Sequence, residues 1–135
     1  MTGWQPIEGG TLFMASGPQG DHLFVVVLGP RQIANYGPQA QFVLVPFCTA
    51  IPGGRHETTC LISPGEHPFV KQPTYVDYGF AQVRNESELR AGVTRLIFRP
   101  ADSVTLDMLQ RIQTGLAISK RVARHIRRDF LSSGP

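Results

Sequence analysis

Apolar residues cluster in short runs over the first hundred positions and recur at helical spacing after them. Thr11 to Ala15 and Leu23 to Leu28 are rich in strand-forming residues. Between them lies Ser16-Gly17-Pro18-Gln19-Gly20-Asp21, so the pair reads as a hairpin. Gly29-Pro30, Asn35 and Gly37-Pro38 then mark a long connection, from Gly29 to Gln41. Phe42 to Thr49 is a nearly continuous apolar strand interrupted by Pro46. Proline has no N–H for a sheet ladder, which places this strand at an edge or gives it a bulge. Further strands are expected at Thr58 to Ile62, Tyr75 to Val83 and Thr94 to Arg99, with turns at Pro52-Gly53-Gly54 and Ser63-Pro64-Gly65. Strands this close together, with no helices between them, predict an antiparallel sheet or small barrel rather than βαβ units.

After Pro100 the period changes. Leu106, Leu109, Ile112, Leu116, Ala123, Ile126 and Phe130 recur mainly at three- and four-residue steps. Asp107 stands near the start and arginines near the end, matching the helix dipole. The pattern predicts one amphipathic helix over 103–131, weakened or kinked at Gly115 by about 1 kcal/mol relative to alanine. The chain is therefore expected to be α+β: one domain over 1–135, with a β-rich body over 1–100 and a terminal helix.

Composition fits this picture. The chain has 135 residues, 41% of them apolar and 17% charged, the profile of a chain that builds its own core. No apolar run approaches the ~20 residues that span a bilayer. Met1 to Gly10 holds no basic stretch followed by an apolar one, so a cytoplasmic location with Cys48 and Cys60 reduced is expected. The net charge of +3 is unevenly spread. Up to Ile118 there are eight Lys and Arg against nine Asp and Glu. From Ser119 onward Lys120, Arg121, Arg124, Arg127 and Arg128 face only Asp129. Such a block attracts polyanions or acidic partners, or is simply the wet face of a helix.

Candidate chemistry comes from particular stretches. Gly20-Asp21-His22-Leu23-Phe24-Val25-Val26-Val27-Leu28 carries a polar loop into an apolar strand. A second apolar strand, Phe42-Val43-Leu44-Val45-Pro46-Phe47-Cys48-Thr49, ends in a Pro-x-x-Thr segment just before Pro52-Gly53-Gly54. Together with Tyr75-Val76-Asp77 and the closing helix from near Leu106, this arrangement resembles the PemK/MazF family of toxin endoribonucleases over most of the chain.

The resemblance implies an SH3-like β-barrel, metal-independent cleavage of single-stranded RNA without a cofactor, a homodimer, and a cognate antitoxin protein. It also implies catalytic roles for His22, Thr49 and Asp77. The family usually has an Arg-Pro pair where this chain has His22-Leu23, and a basic residue where it has Tyr75. Arginine stabilises charge, whereas histidine takes or gives a proton near neutral pH. Arg55 and His56 follow a glycine loop that lets a nucleic-acid strand approach closely. His67, Lys71 and Tyr75 mix cationic and aromatic groups, as single-strand binding surfaces do. Each residue also has a plain reading: a surface histidine, a β-branched strand residue, a turn carboxylate, a solvated cation.

Cys48, His56, Cys60 and His67 lack the close ligand pairs of ordinary zinc sites, and no metal is expected. No P-loop, Rossmann, G-x-S-x-G or H-E-x-x-H signature is present. A competing reading is a non-catalytic small barrel that binds nucleic acid or a protein through Arg124, Arg127 and Arg128. Membrane attachment through the tail fits poorly, because its apolar face has one aromatic residue, Phe130.

Overall fold

The computed structural model describes residues 4–15 and 20–131. It is an α+β fold with seven strands: β1 (Thr11–Ala15), β2 (Asp21–Arg31), β3 (Gln41–Thr49), β4 (Leu61–Ile62), β5 (Thr74–Val76), β6 (Gln82–Asn85) and β7 (Arg99–Ala101). The strand order is β4-β5-β3-β2-β1-β7, β6 also pairs with β3, and every pairing is antiparallel. The path ends at β4 on one side and β7 on the other. Among the described residues the sheet is therefore open, and these pairings do not close the barrel implied by the resemblance. The expected hairpin forms, with Ala15 opposite Asp21; Ser16 to Gln19 of its turn lie outside the described residues.

Helices cover both faces of the sheet, which is why β2 and β3 are continuous apolar runs rather than alternating ones. Leu23, Val25 and Val27 of β2 and Val43, Val45 and Phe47 of β3 pack with Met108, Leu109, Ile112 and Leu116 of α2 (Leu106–Ile118). Phe24, Val26, Phe42 and Leu44 point the other way, onto Leu89 of α1 (Glu86–Thr94). Each face thus buries a set of large side chains worth roughly 1.5–3 kcal/mol apiece against leaving them exposed.

Several sequence expectations are corrected. β3 is a central strand, and its register shifts lie in β2 between Val26 and Arg31, away from Pro46. Pro46 sits where the partner of β3 changes from β6 to β5: Leu44 pairs with Gln82, Phe47 pairs with Val76, and the Pro46 carbonyl accepts from Asp77 N–H at 3.0 Å. The missing proline N–H faces that handover, where no ladder bond is required. Second, the strand expected over Tyr75 to Val83 breaks into β5, a 3-10 turn over Tyr78–Phe80, and β6. Asp77 accepts from Gly79 N–H at 3.1 Å and caps that turn. The strand expected over Thr58 to Ile62 shortens to Leu61–Ile62.

Third, the strand expected over Thr94 to Arg99 gives way to α1, a turn with Leu96 at φ 62, and β7. Asn85 accepts from Glu88 N–H while the Glu88 carboxylate accepts from Asn85 N–H, a complete capping box. Fourth, the terminal helix is not one element. α2 stops at Ser119 and Val122 is buried. α3 (Arg124–Ile126) then leads into a π-helical turn over Arg127–Leu131. Gly115 does not kink α2. It admits the Tyr78 hydroxyl, which donates to Ile112 O at 2.8 Å.

Candidate functional site

β2 begins and β3 ends at the same end of the sheet, because the strands are antiparallel with Phe24 opposite Pro46. That register brings His22 and Thr49 together. Both line a cavity of about 240 Å³ whose walls include Asp21, Cys48, Phe13, Phe69 and Thr74. The His22 Nδ1 is buried and has no hydrogen-bond partner. An unpaired buried polar atom costs about 1–3 kcal/mol, so such atoms are rare and call for a reason such as a catalytic role or a bound water or ion.

Thr49 also lines a second cavity, of about 120 Å³, with Ile51, Gly54, Arg55, His56 and Tyr75. Local sequence builds it. Gly54 N–H donates to Ile51 O at 2.8 Å, and Gly53 at the third position of the turn has φ 76. Proline second and glycine third is the preference of a type II turn. The turn folds Arg55 and His56 back beside β5, where Tyr75 stands opposite Cys48. His56 stacks on Tyr75 with ring centroids 4.7 Å apart and planes 25° apart. Five of the eight residues expected at a site, His22, Thr49, Arg55, His56 and Tyr75, therefore border two cavities that share one threonine.

The other three stand apart. Asp77 lines neither cavity. It lies opposite Pro46, three residues along β3 from Thr49, or roughly 10 Å at strand spacing. Burial, reinforced by the Glu57 charge, raises its pKa, against the Gly79 amide and the Arg121 guanidinium, which lower it. His67, expected among the RNA-binding residues, is 2% exposed and lines neither cavity. Its Nδ1 accepts from Phe69 N–H at 3.1 Å, so the proton is assigned to Nε2, which donates to Asp102 O at 2.6 Å. Lys71 is exposed and belongs to neither cavity wall.

Sequence reasoning missed several neighbours. Asp21 lines the larger cavity and pairs with Arg99 at 2.6 Å. Arg99 also lies over the Phe13 ring at 5.2 Å, and Phe13 meets Phe69 edge to face. Arg99 arrives through the pairing of β1 with β7, a contact between residues more than eighty positions apart that no local motif announces. Cys48 is no thiolate nucleophile: burial, then the Asp77 charge, pushes its thiol up to about 11.

Among the described residues no three His, Cys, Asp or Glu side chains converge as a metal would require, and no helix is long and apolar enough to cross a membrane. The chain matches no protein-family model, and no curated protein or solved structure is significantly similar to it.

Proposed function

We propose that this protein is a toxin-like endoribonuclease that binds single-stranded RNA across the end of the sheet and cuts it at the His22–Thr49 cavity. The observation that carries the reading is an imidazole with an unpartnered Nδ1 beside a threonine, joined through that threonine to a cation and a stacked ring pair. Cleavage within RNA needs proton transfer from the ribose 2′-hydroxyl, a donor to the charged phosphorus centre, and a grip on the strand.

In this reading His22 takes the 2′-hydroxyl proton and the freed oxygen attacks phosphorus. The bond to the 5′-oxygen then breaks, and that oxygen leaves protonated by water. The products are a 2′,3′-cyclic phosphate and a 5′-hydroxyl. Thr49 donates to a phosphate oxygen, Arg55 balances its charge, and the His56–Tyr75 pair supports a base. Asp77 has no part in the chemistry, which departs from the role the family resemblance implies for it. The finer elements of the same reading are an SH3-like curvature of the sheet, a homodimer and an inhibiting antitoxin.

The test is a long RNA incubated with purified protein in EDTA. Discrete fragments ending in cyclic phosphate, and none from the same sequence with deoxyribose, are expected; intact RNA sinks the proposal. A binder without catalysis is the second reading, favoured by the absence of Asp77 from both cavity walls. It predicts retention of RNA with no new ends.

A further inference from the structure

After α2 the chain brings Arg121 back beside the turn that follows β5. Ser119 leaves the helix at ψ 133, and its buried hydroxyl donates to Glu57 Oε2. Thr59 donates to the same oxygen at 2.6 Å, and Arg121 N–H donates to Ser119 Oγ at 3.1 Å. Glu57 is 8% exposed, directly follows Arg55-His56, and keeps its other oxygen buried without a partner. One interior carboxylate therefore fastens the loop carrying Arg55 to the segment carrying Lys120, Arg121 and Arg124. Arg121 in turn packs on the turn after β5: a Cβ built on Gly79 would lie 3.7 Å from Arg121 Cβ. Its positive charge reaches Tyr75 and Asp77, where it opposes the upward pull of burial.

We propose that Arg121, with the exposed Lys120 and Arg124, continues the Arg55 side of the site into one cationic track for the backbone of single-stranded nucleic acid, and that Glu57 is the positioning residue holding the two halves together. This rests on the RNA reading of the cavities. The stacked His56–Tyr75 pair, which lines the same cavity as Arg55, favours a nucleic acid over an acidic protein, since bases present ring faces to stack and carboxylate side chains do not. Each phosphate neutralised on a single strand contributes about 0.7 to the slope of log affinity against log salt.

The experiment is a titration of a short fluorescein-labelled oligodeoxynucleotide, which lacks the 2′-hydroxyl and stays intact, over a series of salt concentrations. Arg121→Ala is expected to lower the slope by about 0.7, weakening binding about fivefold at about 0.1 M salt. The same charge change at exposed Arg95, the C-cap of α1, is expected to leave the slope alone. Glu57→Ala is expected to lower the slope with secondary structure intact by circular dichroism, and Glu57→Gln to keep it. An unchanged slope in Arg121→Ala, an equal drop in Arg95→Ala, or displacement by polyglutamate as effective as by oligonucleotide overturns the track. Binding that depends on Arg121 in a protein that cuts no RNA leaves the track standing and removes the catalytic reading.

Discussion

Replacing Gly115 with alanine tests how the loop beside the site is anchored. Helix propensity alone favours the change by about 1 kcal/mol. The packing opposes it: a Cβ at position 115 would lie 2.0 Å from Tyr78 Oη and 2.7 Å from Cζ. Tyr78 is fully buried and its hydroxyl is bonded to Ile112 O, so the ring has no free space to enter. Overpacking of this kind costs about 1–3 kcal/mol, and displacing the hydroxyl from its acceptor adds about 1. The net expectation is a loss of about 1–3 kcal/mol, or about 4–12 °C in the melting temperature of a domain this size. Urea unfolding followed by circular dichroism measures it. Tyr78→Phe removes the nearest atom, so the penalty of Gly115→Ala should shrink in that background without vanishing. A Gly115→Ala protein as stable as the parent refutes the close approach, and with it the anchoring of the turn on which Arg121 packs.

Two further predictions concern carboxylates. Burial and Glu57 raise the pKa of Asp77, so the folded chain holds that proton more tightly than the unfolded chain, and the ionised group opposes folding increasingly as pH rises above 3.8. Asp77→Asn keeps an acceptor for Gly79 N–H. It should raise the melting temperature at pH near 7 but not near 3, and an equal change at both pH values would contradict the assignment. Asp129 behaves oppositely: Arg128, then the Tyr36 hydroxyl at 2.7 Å, holds it down at about 2. Its contribution is present above its ordinary value of 3.8 and lost as pH falls toward 2, so Asp129→Asn should destabilise at neutral pH and become silent in strong acid. Melts in which Asp129→Asn matches the parent at pH near 7 would deny that contact any role.

The elements legible in the sequence were those whose signal is local. β1, the start of the α2 stripe and the β3 run follow from periodicity and composition, and the Pro52-Gly53 turn follows from residue preference. Errors arose where long-range contacts decide. Pro46 suggested an edge because proline lacks a donor, yet a central strand tolerates it where its partner strand changes. The arginine-rich tail continues the helical period past Ser119, but a buried bond to Glu57, sixty-two residues away, ends the helix there. α1 did carry a local signal, Asn85 followed by Glu88, that the strand reading of Thr94 to Arg99 passed over. Of the candidate residues, His22, Thr49, Arg55, His56 and Tyr75, which border the two cavities, are legible as residue types near turns. Asp77 and His67 looked equally suitable, because nothing local shows that one caps a turn and the other is buried with both nitrogens engaged.

The most direct measurement is the rate at which long RNA is cut in EDTA by the parent and by His22→Ala, with matched circular dichroism spectra. General acid–base catalysis typically contributes 10²–10⁴-fold, so the variant should be slower by about that factor while binding RNA as the parent does. Equal rates in the two proteins would contradict the central claim.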